Sequence, residues 1–250
     1  MGFTLEEIVP WGRSCEEYLA MFGLTAAELQ GRILGCGDGP AAFNAEVTRQ
    51  GGRVVSVDPL YRFSAPRIRE RIAATYDAVL AQVRANQGDY VWTTIASVEE
   101  LGRIRLAAME TFLADYEGGR PAGRYLAGEL PSLPVAAGSF DLALSSHLLF
   151  LYSDHLAADF HVAAILEMLR VAREVRVFPL LTLAGAPSPH LPRVQRAMAQ
   201  RGFRPEVRRV AYEFQRGGDE MLVIRRGGGG TTPRSRCGPA ARPARGRGGG

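Results

Sequence analysis

Gly35-Cys36-Gly37-Asp38-Gly39-Pro40 follows the apolar pair Ile33-Leu34, and Asp58 closes a second apolar run, Val54-Val55-Ser56-Val57, 21 residues past Gly37. Glycines in this pattern let the backbone turn sharply and approach a ligand closely, and the start of the helix that follows offers unpaired N–H groups. An acid at the tip of the next strand can accept both hydroxyl protons of a ribose. Together they describe a β-α-β unit that holds a nucleotide. The spacing is G-x-G-x-G with Pro40 directly after it, not the G-x-G-x-x-G of a dinucleotide fold, and that argues against a pyrophosphate ligand and a nicotinamide oxidoreductase. The chain contains no lysine, which excludes a P-loop lysine and Schiff-base or pyridoxal chemistry of the usual kind.

At Gly35, Cys36, Gly37, Gly39 and Asp58 the sequence resembles the class I S-adenosylmethionine-dependent methyltransferases, whose first motif ends in G-C-G-x-G and whose second strand ends in a ribose-binding acid. The resemblance covers residues from about 30 to 225 and implies a doubly wound, mostly parallel seven-stranded α/β sheet with an antiparallel last strand. It also implies S-adenosyl-L-methionine as cofactor, with Gly35, Cys36, Gly37, Asp38 and Gly39 in the cofactor loop. One departure stands out. The acid that the family often carries two residues before the first glycine is Ile33 here, and Asp38 or Asn44 could replace it. Further on, Gly128-Glu129-Leu130-Pro131 and Ser139-Phe140-Asp141 resemble the family's third and fourth strands, which puts Glu129 near the adenine amine. Ser145, Ser146 and His147 then end the fourth strand, where the transferred methyl group would lie, with Ser145 among the cofactor contacts. A sulfonium methyl is already activated, so the protein has to align the acceptor and remove a proton where the acceptor needs it. His147 is the candidate catalytic base, because an unshifted imidazole is substantially neutral at pH 7. A hydrogen-bonded structural histidine is the other reading. The Asn/Asp-Pro-Pro-aromatic signature of amino methyltransferases is missing, which speaks against a base amine as acceptor. The expectation is therefore a small-molecule methyltransferase, with an RNA or protein methyltransferase or a non-catalytic S-adenosylmethionine-binding module as alternatives.

The elements that must position these groups follow from periodicity and caps. Ser14-x-x-Glu17 and Thr25-x-x-Glu28 are capping boxes for two short helices in residues 1–31, and Trp11, Arg13 and Tyr18 are placed to line a cofactor cover. A helix from about Pro40 to Gln50 ends at Gly51-Gly52. Residues 61–120 exceed what a single crossover helix needs. Ile68, Ile72, Tyr76, Val79, Leu80 and Val83 form one apolar stripe, and Leu101, Ile104, Ala108, Met109, Phe112 and Tyr116 form another behind a Ser97 cap. Such a pair reads as a helical lid over the C-terminal edge of the sheet, with Tyr61, Arg62, Tyr90 and Trp92 available to substrate. After the fifth strand, residues 207–215 and 221–225 read as a hairpin around Arg216-Gly217-Gly218-Asp219, and His190, Tyr212 and Arg216 are candidates for binding an acidic acceptor. Asp154, His155 and His161 do not converge on one helix face, so no metal is expected.

Composition bounds the rest. The 250 residues, 46% hydrophobic, suffice for one domain, expected as 1–226, and no apolar run is long enough to span a bilayer. Cys15, Cys36 and Cys237 are odd in number and lack C-x-x-C spacing, which suits a reduced, cytoplasmic protein. Residues 227–250 hold five arginines and no acid, leaving a formal charge of −1 on residues 1–226. Bulk charge thus gives no case for a nucleic-acid partner outside that tail, whose Gly/Arg/Pro composition reads as disordered. Oligomeric state has no signature in the sequence.

Overall fold

A computed structural model describes residues 9–226. Seven strands form one sheet: β1 (Arg32–Cys36), β2 (Arg53–Val57), β3 (Tyr125–Leu126), β4 (Phe140–Ser146), β5 (Ala172–Phe178), β6 (Phe203–Arg209) and β7 (Glu220–Arg226), in the order β3-β2-β1-β4-β5-β7-β6. The first five pair in parallel, whereas β7 runs antiparallel between β5 and β6. This doubly wound sheet with its reversed strand has the architecture that the resemblance implies. Because β1 lies between β2 and β4, the strand order reverses there, and the crevice beyond the C-terminal ends of β1 and β4 is where such sheets bind ligands.

Side chains alternate across the pleat, so each central strand feeds two cores. Leu34, Cys36, Ala143, Val175 and Val177 face one layer with Ile165, Leu169 and Met198, which lie on α5 (Ala158–Val171) and α6 (Leu191–Gln200). Ile33, Leu142 and Leu144 face the other, with Tyr18, Met21, Phe22 and Phe43 from α1 (Cys15–Phe22) and α2 (Phe43–Arg49). Burial of these residues, many wholly removed from water, is the main stabilising term, at about 1.5–3 kcal/mol for each large apolar side chain.

Between β2 and β3 run α3 (Ala65–Ala85) and α4 (Val98–Gly119). Ser97 caps α4 by accepting from the Glu100 N–H at 3.1 Å. Near the sheet, Ile68 and Ile72 of α3 meet Met109 and Phe112 of α4; at the far end Val79 and Val83 meet Val98 and Leu101. No described helix is long and apolar enough to cross a membrane.

The structure redraws several boundaries. The Thr25 capping box forms, with Glu28 accepting from the Thr25 N–H, but only one 3-10 turn, Glu28–Gln30, follows before Gly31 opens into β1. The helix expected from Pro40 begins at Phe43, and the Ala42 N–H donates to the Arg13 carbonyl, so this short helix does not offer its leading N–H groups freely. The hairpin was misplaced: β6 starts at Phe203, and residues 210–219 form a long connection that crosses to α3–α4, where the Val91 N–H donates to Phe214 and the Arg216 N–H to Asp89. Residues 227–250, expected as a tail, lie outside the described residues.

Candidate active site

The crevice opens into a cavity of about 1030 Å³, walled by the glycine loop, Asp58, the end of β4, α3, α4 and the 210–219 connection. That is at the upper limit of the roughly 300–1,000 Å³ typical of sites for drug-sized ligands.

At one end the chain turns through Gly37 and Gly39, whose φ angles of 70° and 54° are left-handed. A Cβ on Gly37 would also strike Leu148, whereas the corresponding side of Gly39 is open. Asp58 stands opposite. Its Oδ2 accepts from the Gly39 N–H at 2.8 Å and its Oδ1 from the Leu60 N–H at 2.7 Å. Two bonds still leave acceptor capacity on a carboxylate. Burial raises the Asp58 pKa, against those two bonds. Glu129 is exposed at the same mouth, on the Asp58 side.

Asp38 sits deeper, its carboxylate folded back over Gly35, where any Cβ would overlap it. The Tyr18 hydroxyl donates to Oδ1 at 2.9 Å and Ser56 Oγ to Oδ2 at 2.7 Å. Burial pushes its pKa up to about 6. Asn44, the other candidate for the missing acid, donates to Ser56 Oγ and to the Arg124 carbonyl and does not border the cavity.

His147 follows β4 with φ 52°, a left-handed conformation that costs a non-glycine residue energy and recurs at functional sites. The turn is fixed by its N–H, which donates to Phe178 at 2.7 Å. Its half-buried ring packs edge-on against Phe178, and Nδ1 lies 2.8 Å from Ser146 Oγ. Desolvation, then the charges of Arg13 and Arg105, hold its pKa well below the ordinary value. The imidazole is therefore neutral at pH 7, as a base must be.

Beyond His147 is a buried polar cluster. Arg105 on α4 pairs through both terminal nitrogens with Glu17 on α1, and Glu17 also accepts from the Tyr212 hydroxyl at 2.8 Å and the Ser14 N–H at 3.0 Å. Burial raises the Glu17 pKa, but the Arg105 cation outweighs it and holds the carboxyl at about 2. Arg13 borders the same space and donates through Nη1 to the Trp11 carbonyl at 2.8 Å.

Of the sequence candidates, Gly37, Asp38, Gly39, Asp58, Glu129 and His147 border this one cavity, as do Trp11, Arg13, Tyr18, Arg62 and Tyr90. Gly35 and Cys36 lie behind the loop within β1, and burial raises the Cys36 thiol well above its usual range. Ser145 is a correction. It alternates onto the apolar side of β4, where its hydroxyl finds no partner, and its neighbour Ser146 is the residue at the cavity. Tyr61 and Trp92 also stay out: the Tyr61 hydroxyl donates to the Gly39 carbonyl at 2.7 Å, bracing the loop from behind. Arg216 is spent on the Gly88 and Tyr90 carbonyls, and His190 on the Ser153 carbonyl. Sequence reasoning missed Arg105 and Glu17, since an arginine inside an amphipathic helix and an acid in a capping box both look like surface residues. No group of three or more His, Cys, Asp or Glu among the described residues could hold a metal ion.

No family model matches the chain. The uncharacterized protein MJ0045 of Methanocaldococcus jannaschii is 30% identical over 224 residues, which is 89% of this chain and 98% of that protein. Among solved structures, magnesium protoporphyrin IX methyltransferase (ChlM) from Synechocystis with bound SAM superposes with a TM-score of 0.46 at 11% identity, covering 85% of this chain and 77% of that one. The PH0226 protein of Pyrococcus horikoshii gives a TM-score of 0.45 at 12% identity, over 84% and 88% of the two chains.

Proposed function

We propose that this chain, which belongs to one family with the M. jannaschii protein MJ0045, is an S-adenosyl-L-methionine-dependent methyltransferase acting on a small molecule. The observation that carries the reading is the single cavity that joins the Gly37–Gly39 turn and Asp58 at one end to His147 and the α3–α4 helices at the other. A cofactor end and an acceptor end share it without a wall between them.

The residues at the first end fit the cofactor. Gly39 leaves its outer side open, Asp58 keeps acceptor capacity for ribose hydroxyls, and Glu129 stands at the rim for the adenine amine. Asp38, which borders the cavity where Ile33 cannot reach, takes the part of the missing acid toward the amino group. When bound, the cofactor supplies an electrophilic methyl group. The protein's own work is to orient the acceptor, exclude water and take up a proton. Neutral His147, fixed through its backbone by Phe178 and through Nδ1 by Ser146, presents its remaining ring nitrogen for that proton. Residues 61–120 act as the cap that closes the acceptor end, built into a single domain of residues 1–226.

Calorimetry of the full chain with S-adenosylmethionine, S-adenosylhomocysteine and NAD tests the reading. Micromolar binding of the first two without the third is the expected result; NAD binding alone would overturn it. Asp58→Asn should weaken cofactor binding by about tenfold or more, the cost of a hydrogen bond to a charged group.

A further inference from the structure

Among the described residues, the cluster beyond His147 is short of one negative charge. Arg13 and Arg105 supply two cations, while Glu17 is the acid held against them. Glu17 is also saturated. Its Oε1 accepts from Arg105 and Tyr212 and its Oε2 from Arg105 and Ser14, which uses the roughly four lone-pair sites of a carboxylate. Tyr212 is neutral, its hydroxyl pushed far up by burial, and His147 is neutral as well. Arg13 pairs with no carboxylate among the described residues, and the Nε–H groups of both Arg13 and Arg105 are buried without an acceptor. Arg105 is wholly buried, so the second gap is not filled by bulk water. Arg13 is half-buried, but its Nε–H is buried, and buried donors are normally paired.

We infer that the acceptor is an apolar molecule carrying one carboxylate, and that Arg13 binds this group beside His147. The inference rests on the methyltransferase reading for the word acceptor, but the carboxylate site stands on the cluster alone. A single unmatched charge suits a monoanion rather than a phosphate, and a guanidinium presents two parallel N–H donors to a planar carboxylate. The apolar body is set by the surroundings: Trp11, Val83, Tyr90, Leu101, Leu151 and Phe214 all border the cavity. The carboxylate of the cofactor itself is the competing source of the same chemistry. Arg13 acts electrostatically on His147, Tyr90 and Tyr152 and also on Tyr18, whose hydroxyl donates to Asp38, so the two sources of a carboxylate are separated by the test.

The test compares benzoate, 3-phenylpropionate and hexanoate with their amides, binding to the full chain with and without saturating S-adenosylhomocysteine. The carboxylates should bind about tenfold more tightly than the amides, Arg13→Gln should abolish that preference, and Arg13→Lys should keep part of it. S-adenosylhomocysteine should bind Arg13→Gln within about twofold of the wild type, since a residue that does not touch the cofactor contributes little to its affinity. Equal binding of acids and amides by the wild type would overturn the inference, and this comparison decides even where Arg13→Gln fails to fold. Loss of S-adenosylhomocysteine affinity in Arg13→Gln, with 5′-methylthioadenosine unaffected, would assign Arg13 to the cofactor carboxylate and overturn it too. Failure of the wild type to bind S-adenosylhomocysteine would sink the cofactor reading instead, leaving the acid–amide comparison on the unliganded protein to decide the role of Arg13.

Discussion

The phenolic hydroxyl of Tyr18 reaches from α1 to donate to Asp38 in the glycine loop at 2.9 Å. The ring itself stacks on Phe43 with centroids 4.7 Å apart, so the hydroxyl is aimed by the core. The N-terminal helix therefore takes part in forming the loop, and the Ala42 N–H, which donates to the Arg13 carbonyl at 3.0 Å, fastens the two segments a second time.

Asp38 gives the protein a pH signature. Its carboxyl is pushed from 3.8 to about 6 by burial, so folding favours the protonated form. Its contribution to stability is full below pH 3.8 and is lost as pH rises through about 6, by about 3 kcal/mol in all. Asp38→Asn removes the titration. Urea unfolding midpoints followed from pH 8 to 4 should show the wild type gaining on the variant by about 2–3 kcal/mol. Parallel curves would mean that Asp38 does not titrate in the folded state.

Gly35 tests the same carboxylate sterically. A Cβ there overlaps the Asp38 carboxyl, which is also held by Ser56 at 2.7 Å. Gly35→Ala should break the Asp38–Ser56 bond and cost about 1–3 kcal/mol of stability, as overpacking a filled site does. Gly39→Ala meets no atom within 4 Å and bears only the strain of its φ of 54°, so it should cost less. Thermal denaturation of the two variants side by side gives the order.

The glycine turn, Asp58 and the alternation of two long helical stripes were legible because each is a local signal: spacing, a strand tip, a period. The mostly parallel seven-stranded sheet with an antiparallel last strand followed from the resemblance, and strand pairing realises it, while the order of the strands came from the structure. What could not be read was long-range partnership. Glu17 and Arg105 are 88 residues apart in the chain, and each matches a bland local pattern, a capping box and a helix face. Ser145 failed for a different reason: at a strand end, a one-residue step changes which face the side chain takes, and Ser146 is the one at the cavity. The Tyr212 and Arg216 candidates were treated as a hairpin, whereas the connection holding them folds across the site, keeping Tyr212 inside and spending Arg216 on carbonyls.

On the proposed reading, His147 sets the acid limb of turnover. Its pKa lies well below 6.5 because of desolvation and the neighbouring arginines, so the base is already deprotonated at pH 6.5 and the rate should be flat from there to pH 8. His147→Asn keeps a residue type that tolerates left-handed backbone, and it should lower turnover by about 10²–10⁴-fold while leaving S-adenosylhomocysteine affinity unchanged. Turnover of the variant equal to the wild type would show the ring to be structural.

Glu17 is the charge on which the buried cluster depends. Burial alone would raise its pKa, yet Arg105 holds it at about 2, so its contribution to stability is present above pH 4.5 and is lost as pH falls through about 2. Glu17→Gln at pH 7 leaves Arg105 buried without its anion, and breaking a buried pair in this way costs about 3–5 kcal/mol. The double variant Glu17→Met with Arg105→Leu removes both charges and fills the space with apolar atoms, so it should lose less than the single variant. Chemical denaturation of the wild type and the two variants measures this, and a double variant less stable than Glu17→Gln would show that the network's geometry, rather than its charge balance, holds α1 against α4.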